Sequence, residues 1–303
     1  MQDIALLAID WGTSSVRAYA LDRHGHVVDA RSAPLGVQRV MNGEFAQALQ
    51  TLCDGKVPEG VPLIACGMIG SRQGWVEVPY RHCPAGLGAV AAGLARVPGT
   101  ALEIVPGLIC RDESGIADVM RGEETQIFGA LADETRSRQV TLLPGTHSKW
   151  AIVGPDGIET FSTFMTGELY ALLIEHSILG RLAAPGSDDD ALAGGVHHSL
   201  RSNAALTHDL FSARTLALTD RLAPSGIGDY LSGLLLGAEI AAARRWLERM
   251  RVGAPRVTLI GAQALAQKYR AALTIAGIDA EIGAEDAAAR GLWRVARNAG
   301  LVR

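Results

Sequence analysis

One pattern occurs twice in this chain and narrows the folds open to it. An apolar strand leads into a loop with Gly-Thr and further hydrogen-bond donors, then a return strand, a tight turn and a third strand. In the first copy residues 6–9 form the buried strand, Gly12-Thr13-Ser14 the loop, 16–21 the antiparallel return and Asp22-Arg23-His24-Gly25 the turn. In the second, residues 140–143 are followed by Gly145-Thr146-His147-Ser148, a return over 150–153, a turn at Pro155-Asp156-Gly157 and a third strand over 158–165. Loop glycine and turn glycine lie 13 residues apart in the first copy (12 to 25) and 12 in the second (145 to 157). Hairpins are common, so matched spacing alone is weak; the shared Gly-Thr with donors after it argues for a true repeat. Two similar units predict two similar domains facing each other, with loops that grip a polyphosphate from both sides.

The first loop carries the chemistry in Asp10-Trp11-Gly12-Thr13-Ser14-Ser15. Gly12 lets the backbone approach an anion without a Cβ in the way, and the amides and hydroxyls of Thr13, Ser14 and Ser15 can donate to phosphate oxygens. Asp10 would repel phosphate, so its natural task is to position Mg²⁺, usually through water. Read alone, an ordinary hairpin whose polar residues satisfy its own turn fits this stretch too.

Along the rest of the chain, residues 45–52 read as a helix. An apolar strand over 61–66 runs into Gly67-Met68-Ile69-Gly70-Ser71-Arg72-Gln73-Gly74-Trp75. The glycines there frame a loop that presents Ser71, Arg72 and Gln73, and the planar fork of Arg72 suits a carboxylate, whether a ligand's or a structural Asp or Glu. Residues 86–96 read as a helix and 102–105 as a strand. The run from Ile116 opens a helix reaching Leu131, with Asp118 at its N-cap, a place that also points a carboxylate into a cleft between the halves. Asp188 to Asp190 and His197-His198 show no metal-ligand spacing, and residues 183–203 read as a mobile surface loop. A long helix over 230–249 carries Ser232, Gly233 and Gly237, which permit close packing. Strand 257–260, Gly261-Ala262, helix 263–276 and strand 280–282 form a βαβ unit, where Gly261 lets the backbone approach a flat ligand such as adenine. A helix over 285–299 closes the chain.

These residues resemble the actin-like ATPase and sugar kinase superfamily. The motifs Gly67 to Trp75, Asp118-Val119-Met120-Arg121-Gly122-Glu123-Glu124-Thr125-Gln126, Leu143 to Trp150 and Tyr230-Leu231-Ser232-Gly233-Leu234-Leu235 are similar to those of the 2-dehydro-3-deoxygalactonokinase family, over nearly the whole chain. The resemblance implies an α/β fold of two ribonuclease H-like domains, with mixed sheets flanked by helices and a ligand cleft between them. Residues 1–137 would hold the first phosphate loop, the sugar-acid loop and the catalytic Asp, and 138–303 the second phosphate loop and the adenosine site. It further implies transfer of the γ-phosphate of ATP, with Mg²⁺, to the 6-hydroxyl of 2-dehydro-3-deoxy-D-galactonate. Asp118, 27 residues before Gly145, takes the base position. Asp10 orders the metal, Gly12, Thr13, Ser14, Gly145 and Thr146 hold phosphate, and Gly261 meets adenosine. Arg72 is the first choice for the substrate carboxylate and Lys149 the other, with Ser71, Gln73 and His147 on the hydroxyls. The second loop has Pro144 and no acidic partner for Asp10, which puts metal binding by that half in doubt.

Composition sets outer bounds. The 303 residues, 48% hydrophobic and 20% charged, suffice for a large core and about two domains. A net charge of −4 argues against a broad nucleic-acid surface, and Arg244, Arg245, Arg249 and Arg251 read as a solvated helix face. Cys53, Cys66, Cys83 and Cys110 form no Cys-x-x-Cys pair, and apolar runs fall short of a membrane span, so a cytoplasmic protein with reduced thiols is expected, a homodimer by default. Two rival classes remain at this level: a nucleotide-gated binding module like the actin and chaperone branches, and a polyphosphate-hydrolysing relative.

Overall fold

Residues 4–53, 60–131, 137–253 and 256–303 are described in the computed structural model. β1 (Leu6–Trp11) returns antiparallel as β2 (Val16–Leu21), and β3 (Val27–Ala33) extends the meander. α1 (Phe45–Leu52) buries Phe45, Ala48, Leu49 and Leu52, the i, i+3, i+4, i+7 stripe of a helix laid on a sheet. It leads to β4 (Leu63–Gly67), parallel to β1 as a crossover connection allows. Trp11, Phe45, Leu49, Ile69 and Ile104 share the core formed there.

Next come β5 (Arg81–His82), α2 (Leu87–Ala91), β6 (Ala95–Arg96) and β7 (Leu102–Ile104). β8 (Leu108–Arg111), β9 (Ala117–Met120) and α3 (Glu123–Ala130) follow. The expected helix over 86–96 thus shrinks to five residues. Gly86, Gly88 and Gly93 give it little helical propensity, and the chain turns back to pair β6 antiparallel with β7. The helix expected from residue 116 is also corrected: residues 117–120 are strand, paired antiparallel with β8, and helix begins only at Glu123.

The second repeat gives β10 (Gln139–Leu143), β11 (Ser148–Gly154) and β12 (Gly157–Phe164). Then come α4 (Thr166–His176), α5 (Asp189–Arg201), α6 (Leu206–Asp209), α7 (Ser212–Leu218) and α8 (Ile227–Arg249). β13 (Val257–Leu259), α9 (Gln263–Ile275), β14 (Ala280–Ile282) and α10 (Ala287–Asn298) end the chain. Sheet order β12-β11-β10-β13-β14 repeats the first five positions of β3-β2-β1-β4-β7-β6, so the duplication extends from the hairpins to whole sheets; β5-β8-β9 form a third.

Two compact units result. The first holds residues 1–137, 152–161 and 284–303, the second 138–151 and 162–283. The division therefore differs from a single cut after residue 137: the tip of the β11–β12 hairpin, where Ile158 bridges to Ala85, and α10 pack with the first unit. α5 replaces the expected loop at 183–203. Asp188 caps it by accepting from the Ala191 amide at 2.9 Å, and Asp189 and Asp190 fill the first turn, so the acidic run is a helix start.

Glycines set the helix crossings. In the second unit, a Cβ at Gly233 of α8 would lie 2.1 Å from the Leu192 carbonyl oxygen of α5. In the first, a Cβ at Gly291 of α10 would lie 1.9 Å from the Thr125 carbonyl oxygen of α3. Gly291→Ala is accordingly expected to destabilise by ~2 kcal/mol despite its better helix propensity, because backbone cannot yield as a side chain can. Gly194→Ala, whose Cβ would meet nothing nearer than 3.8 Å, should instead stabilise by up to ~1 kcal/mol. Urea unfolding of the two variants checks both signs.

Candidate active site

The β1–β2 loop is braced from behind. The Gly12 carbonyl accepts from the Val37 amide at 3.0 Å, the Thr13 carbonyl from Gln38 at 3.1 Å, and Gly36 packs so close that a Cβ there would come within 2.3 Å of the Thr13 carbonyl oxygen. Thr13, Ser14 and Ser15 are left exposed at the strand end. Rigid backing and exposed donors are what an anion-binding loop requires.

Asp10 lies on β1 opposite Arg17 and takes a long hydrogen bond from Cys66 Sγ at 3.8 Å. Burial raises its pKa, Arg17 lowers it and the negative charge of Glu123 raises it again. The ends of β1 and β4 and the start of α3 converge here. Gly67 has φ +90°, with room for a Cβ denied by the Trp11 carbonyl at 2.7 Å, and a Cβ on Gly122 would lie 3.1 Å from the Gly67 Cα. Gly122, at φ +107°, is the N-cap position of α3. Its amide donates to Glu124 Oε2 at 2.7 Å, and the Arg121 amide to Glu123 Oε2 at 2.9 Å. Glu124 is fully buried and also accepts from Thr125 Oγ1; burial first, then the neighbouring Glu123, pushes its pKa up to about 7. Glu123 stays partly open to solvent.

Asp118 is elsewhere. It sits inside β9 opposite Cys110, and its Oδ1 accepts from the next amide, Val119, at 2.8 Å. The N-cap expectation for it is corrected, since β9 runs on to Met120 and the chain bends through Arg121 and Gly122 before α3 starts.

In the Gly67 to Trp75 loop, the Arg72 side chain is 87% exposed and pairs with Glu77 at 3.4 Å; Gln73 is also exposed. Ser71 Oγ is buried without a hydrogen-bond partner. So are two guanidinium nitrogens of Arg121, which follows β9 and is 9% exposed.

In the second unit, the β10–β11 loop is clamped by the start of α4. Gly167 lies against the Gly145 carbonyl, where a Cβ would come within 2.3 Å, and the Glu168 amide donates to the Thr146 carbonyl at 2.9 Å. The Glu168 carboxylate hydrogen-bonds His147 Nε2. Lys149 is buried in β11, with Nζ donating to Thr163 Oγ1 at 2.8 Å. Gly261, at φ +142°, follows β13, and a Cβ there would lie 3.5 Å from the Pro144 carbonyl oxygen; α9 starts two residues on. Pro144, Gly145 and Gly261 therefore share one end of this sheet. Beneath it, buried Glu239 accepts from Trp150 Nε1 at 2.8 Å and Tyr269 OH at 2.9 Å, tying α8 to β11 and α9.

Sequence reasoning missed Arg121, Glu123, Glu124 and Glu168, although each stands in or beside a motif it singled out. No group of three or more His, Cys, Asp or Glu side chains able to hold a metal occurs among the described residues. A single strand-end carboxylate nonetheless fits hydrated Mg²⁺, which keeps most of its waters and takes one or two carboxylates beside phosphate oxygens. No described helix is long and apolar enough to cross a membrane.

Twin sheets of one strand order, each with a Gly-Thr loop at the turn after its central strand, define the actin-like ATPase and sugar kinase fold. The Clostridium difficile activator of 2-hydroxyisocaproyl-CoA dehydratase, solved with ADPNP, shares that fold. It has a TM-score of 0.50 at 12% identity, covering 97% of this chain and 95% of that one. More narrowly, the chain belongs to the 2-keto-3-deoxy-galactonokinase family, whose model matches residues 10–295. The 2-dehydro-3-deoxygalactonokinase of Escherichia coli strain K12 is 35% identical over 283 residues, 93% of this chain and 94% of that protein. A crystal structure from Sinorhizobium meliloti, of a protein assigned the same name, superposes with a TM-score of 0.87 at 35% identity, covering 96% of this chain and 98% of that one.

Proposed function

We propose that this protein transfers the γ-phosphate of ATP to the 6-hydroxyl of 2-dehydro-3-deoxy-D-galactonate, giving the 6-phosphate and ADP, in cytoplasmic D-galactonate breakdown. The observation that carries this reading is the repeated Gly-Thr loop on repeated sheets, in a chain matched over residues 10–295 by a family of such kinases.

Asp10 is the residue to hold hydrated Mg²⁺, which when bound neutralises charge on the phosphate oxygens. Gly12, Thr13 and Ser14 donate to phosphate from the first unit. Gly145 and Thr146 do so from the second, where Gly261 gives adenosine a flat approach. Ser71, Gln73 and His147 address the hydroxyls of the sugar acid, and Arg72 and Lys149 are the sequence-derived choices for its carboxylate. Their surroundings weaken both: Arg72 is exposed and engaged with Glu77, and Lys149 is buried on Thr163.

The proton of the attacking hydroxyl passes to a carboxylate of the β9–α3 segment. Asp118 is the residue the resemblance offers. A second reading, Glu123, is favoured by its place in the first turn of α3 and by its electrostatic coupling to Asp10.

ATP consumption with and without a panel of sugar acids tests the reading. Acceptor-dependent turnover that is highest with 2-dehydro-3-deoxy-D-galactonate is the expected result; turnover indifferent to acceptor would mean an ATPase or polyphosphate hydrolase, and nucleotide binding without turnover a gated binding module.

A further inference from the structure

A guanidinium shut away from water needs an anion or a full set of acceptors, since burying a charge without either strongly disfavours the folded state. Arg121 has neither. Its Nη2 donates to the Val78 carbonyl at 2.7 Å, and its guanidinium carbon lies 4.4 Å from the centre of the Tyr80 ring. Nε and Nη1 have no hydrogen-bond partner, and no ion pair engages the group among the described residues. Nη1 abuts Gly70, where a Cβ would come within 3.0 Å of it, and the next residue is Ser71, whose hydroxyl is the other orphaned donor of this region. The carbonyl of Ser71 accepts from the Gly74 amide at 2.9 Å, so the loop that bears the orphan hydroxyl is folded back on itself beside the orphan cation.

We propose that Arg121, with Ser71 as second donor, receives the carboxylate of the acceptor in place of Arg72 or Lys149, which moves Ser71 from the sugar hydroxyls to the carboxylate. The inference rests on the reading of the acceptor as a sugar acid. Both free nitrogens are covered in the present conformation, so the carboxylate is admitted as the Gly70 to Gly74 loop gives way. The same loop then closes a dry site around a charge pair, where the attraction is stronger than in water. Arg72, out in solvent and already paired, would offer a ligand carboxylate little by comparison.

Calorimetric titration of the full chain without nucleotide, using 2-dehydro-3-deoxy-D-galactonate and its C1 carboxamide, separates the carboxylate from the rest of the sugar. Wild-type protein is expected to bind the acid at least ~30-fold tighter than the amide, the worth of a charge-assisted pair. Arg121→Gln should bring that ratio to within about threefold of one while keeping its affinity for the amide. A wild type that does not prefer the acid, or a preference that survives in Arg121→Gln, would overturn the proposal. Should that variant fail to fold, a crystal structure of the wild type with the acid decides: a carboxylate oxygen within ~3.2 Å of Nε or Nη1 is expected, and a carboxylate on Arg72 or Lys149 refutes the assignment. Acid binding with no turnover on adding MgATP would sink the kinase reading and leave Arg121 in place.

Discussion

Glu123→Gln is expected to lower kcat by ~10² or more, with affinities for ATP and the sugar acid nearly unchanged, and Asp118→Asn to lower it by less than ~10-fold. The difference follows from where the two carboxylates stand. Glu123 opens α3 at the junction of β1 and β4, where its charge is felt by Asp10. Asp118 lies in β9, paired with β8, and spends one oxygen on its own neighbour's amide. Three residues, Val119 to Arg121, separate it from Gly122, which packs on the Gly67 backbone, a span of up to ~13 Å in extended chain. Both substitutions retain an acceptor oxygen for the backbone amide each carboxylate now serves, so the folded state is spared and the loss reads on proton transfer. Single-turnover phosphoryl transfer with both variants settles the assignment: a full effect in Asp118→Asn and none in Glu123→Gln would return the base role to Asp118.

The N-cap reading of Asp118 fails for a local reason, while its base role rests on the family resemblance. An Asp ahead of an amphipathic stretch is a common N-cap, and local propensity has no way to show that Gly122 has a positive φ or that residues 117–120 find a strand partner in β8. The hairpins, by contrast, were legible because apolar alternation and turn glycines are local signals, and the repeat of β1 and β2 in β10 and β11 could be read from matched spacing together with the shared Gly-Thr loops. Helix α5 was missed for the opposite reason. Its aspartates and histidines look polar and loop-like until Ala191, Leu192, Gly195 and Val196 are seen to face α8. Arg121 shows the limit most clearly: in the sequence it is one arginine among many, and only burial and two orphaned nitrogens set it apart from Arg72.

Asp10→Asn should cut kcat/KM for MgATP by ~10² or more, because in its proposed role it would remove the charge that orders the metal beside the phosphates. The same change is expected to leave the protein at least as stable at pH 8. Burial is the largest influence on this carboxyl and raises its pKa, Glu123 adds to the rise, and Arg17 and the Cys66 thiol compensate only in part. A carboxyl whose pKa is higher in the folded than in the unfolded chain contributes stability that is complete below its ordinary value of 3.8 and is lost as pH rises through the folded value. At pH 8 the ionised group is therefore a net cost to folding, and a neutral amide of the same shape relieves it. Activity and stability should move in opposite directions, as expected where a site holds charge for a ligand. Thermal unfolding at pH 8 and kinetics over a Mg²⁺ titration measure both. A lower midpoint in Asp10→Asn would make the carboxylate a structural partner of Arg17, and an unchanged kcat/KM would remove it from the nucleotide site.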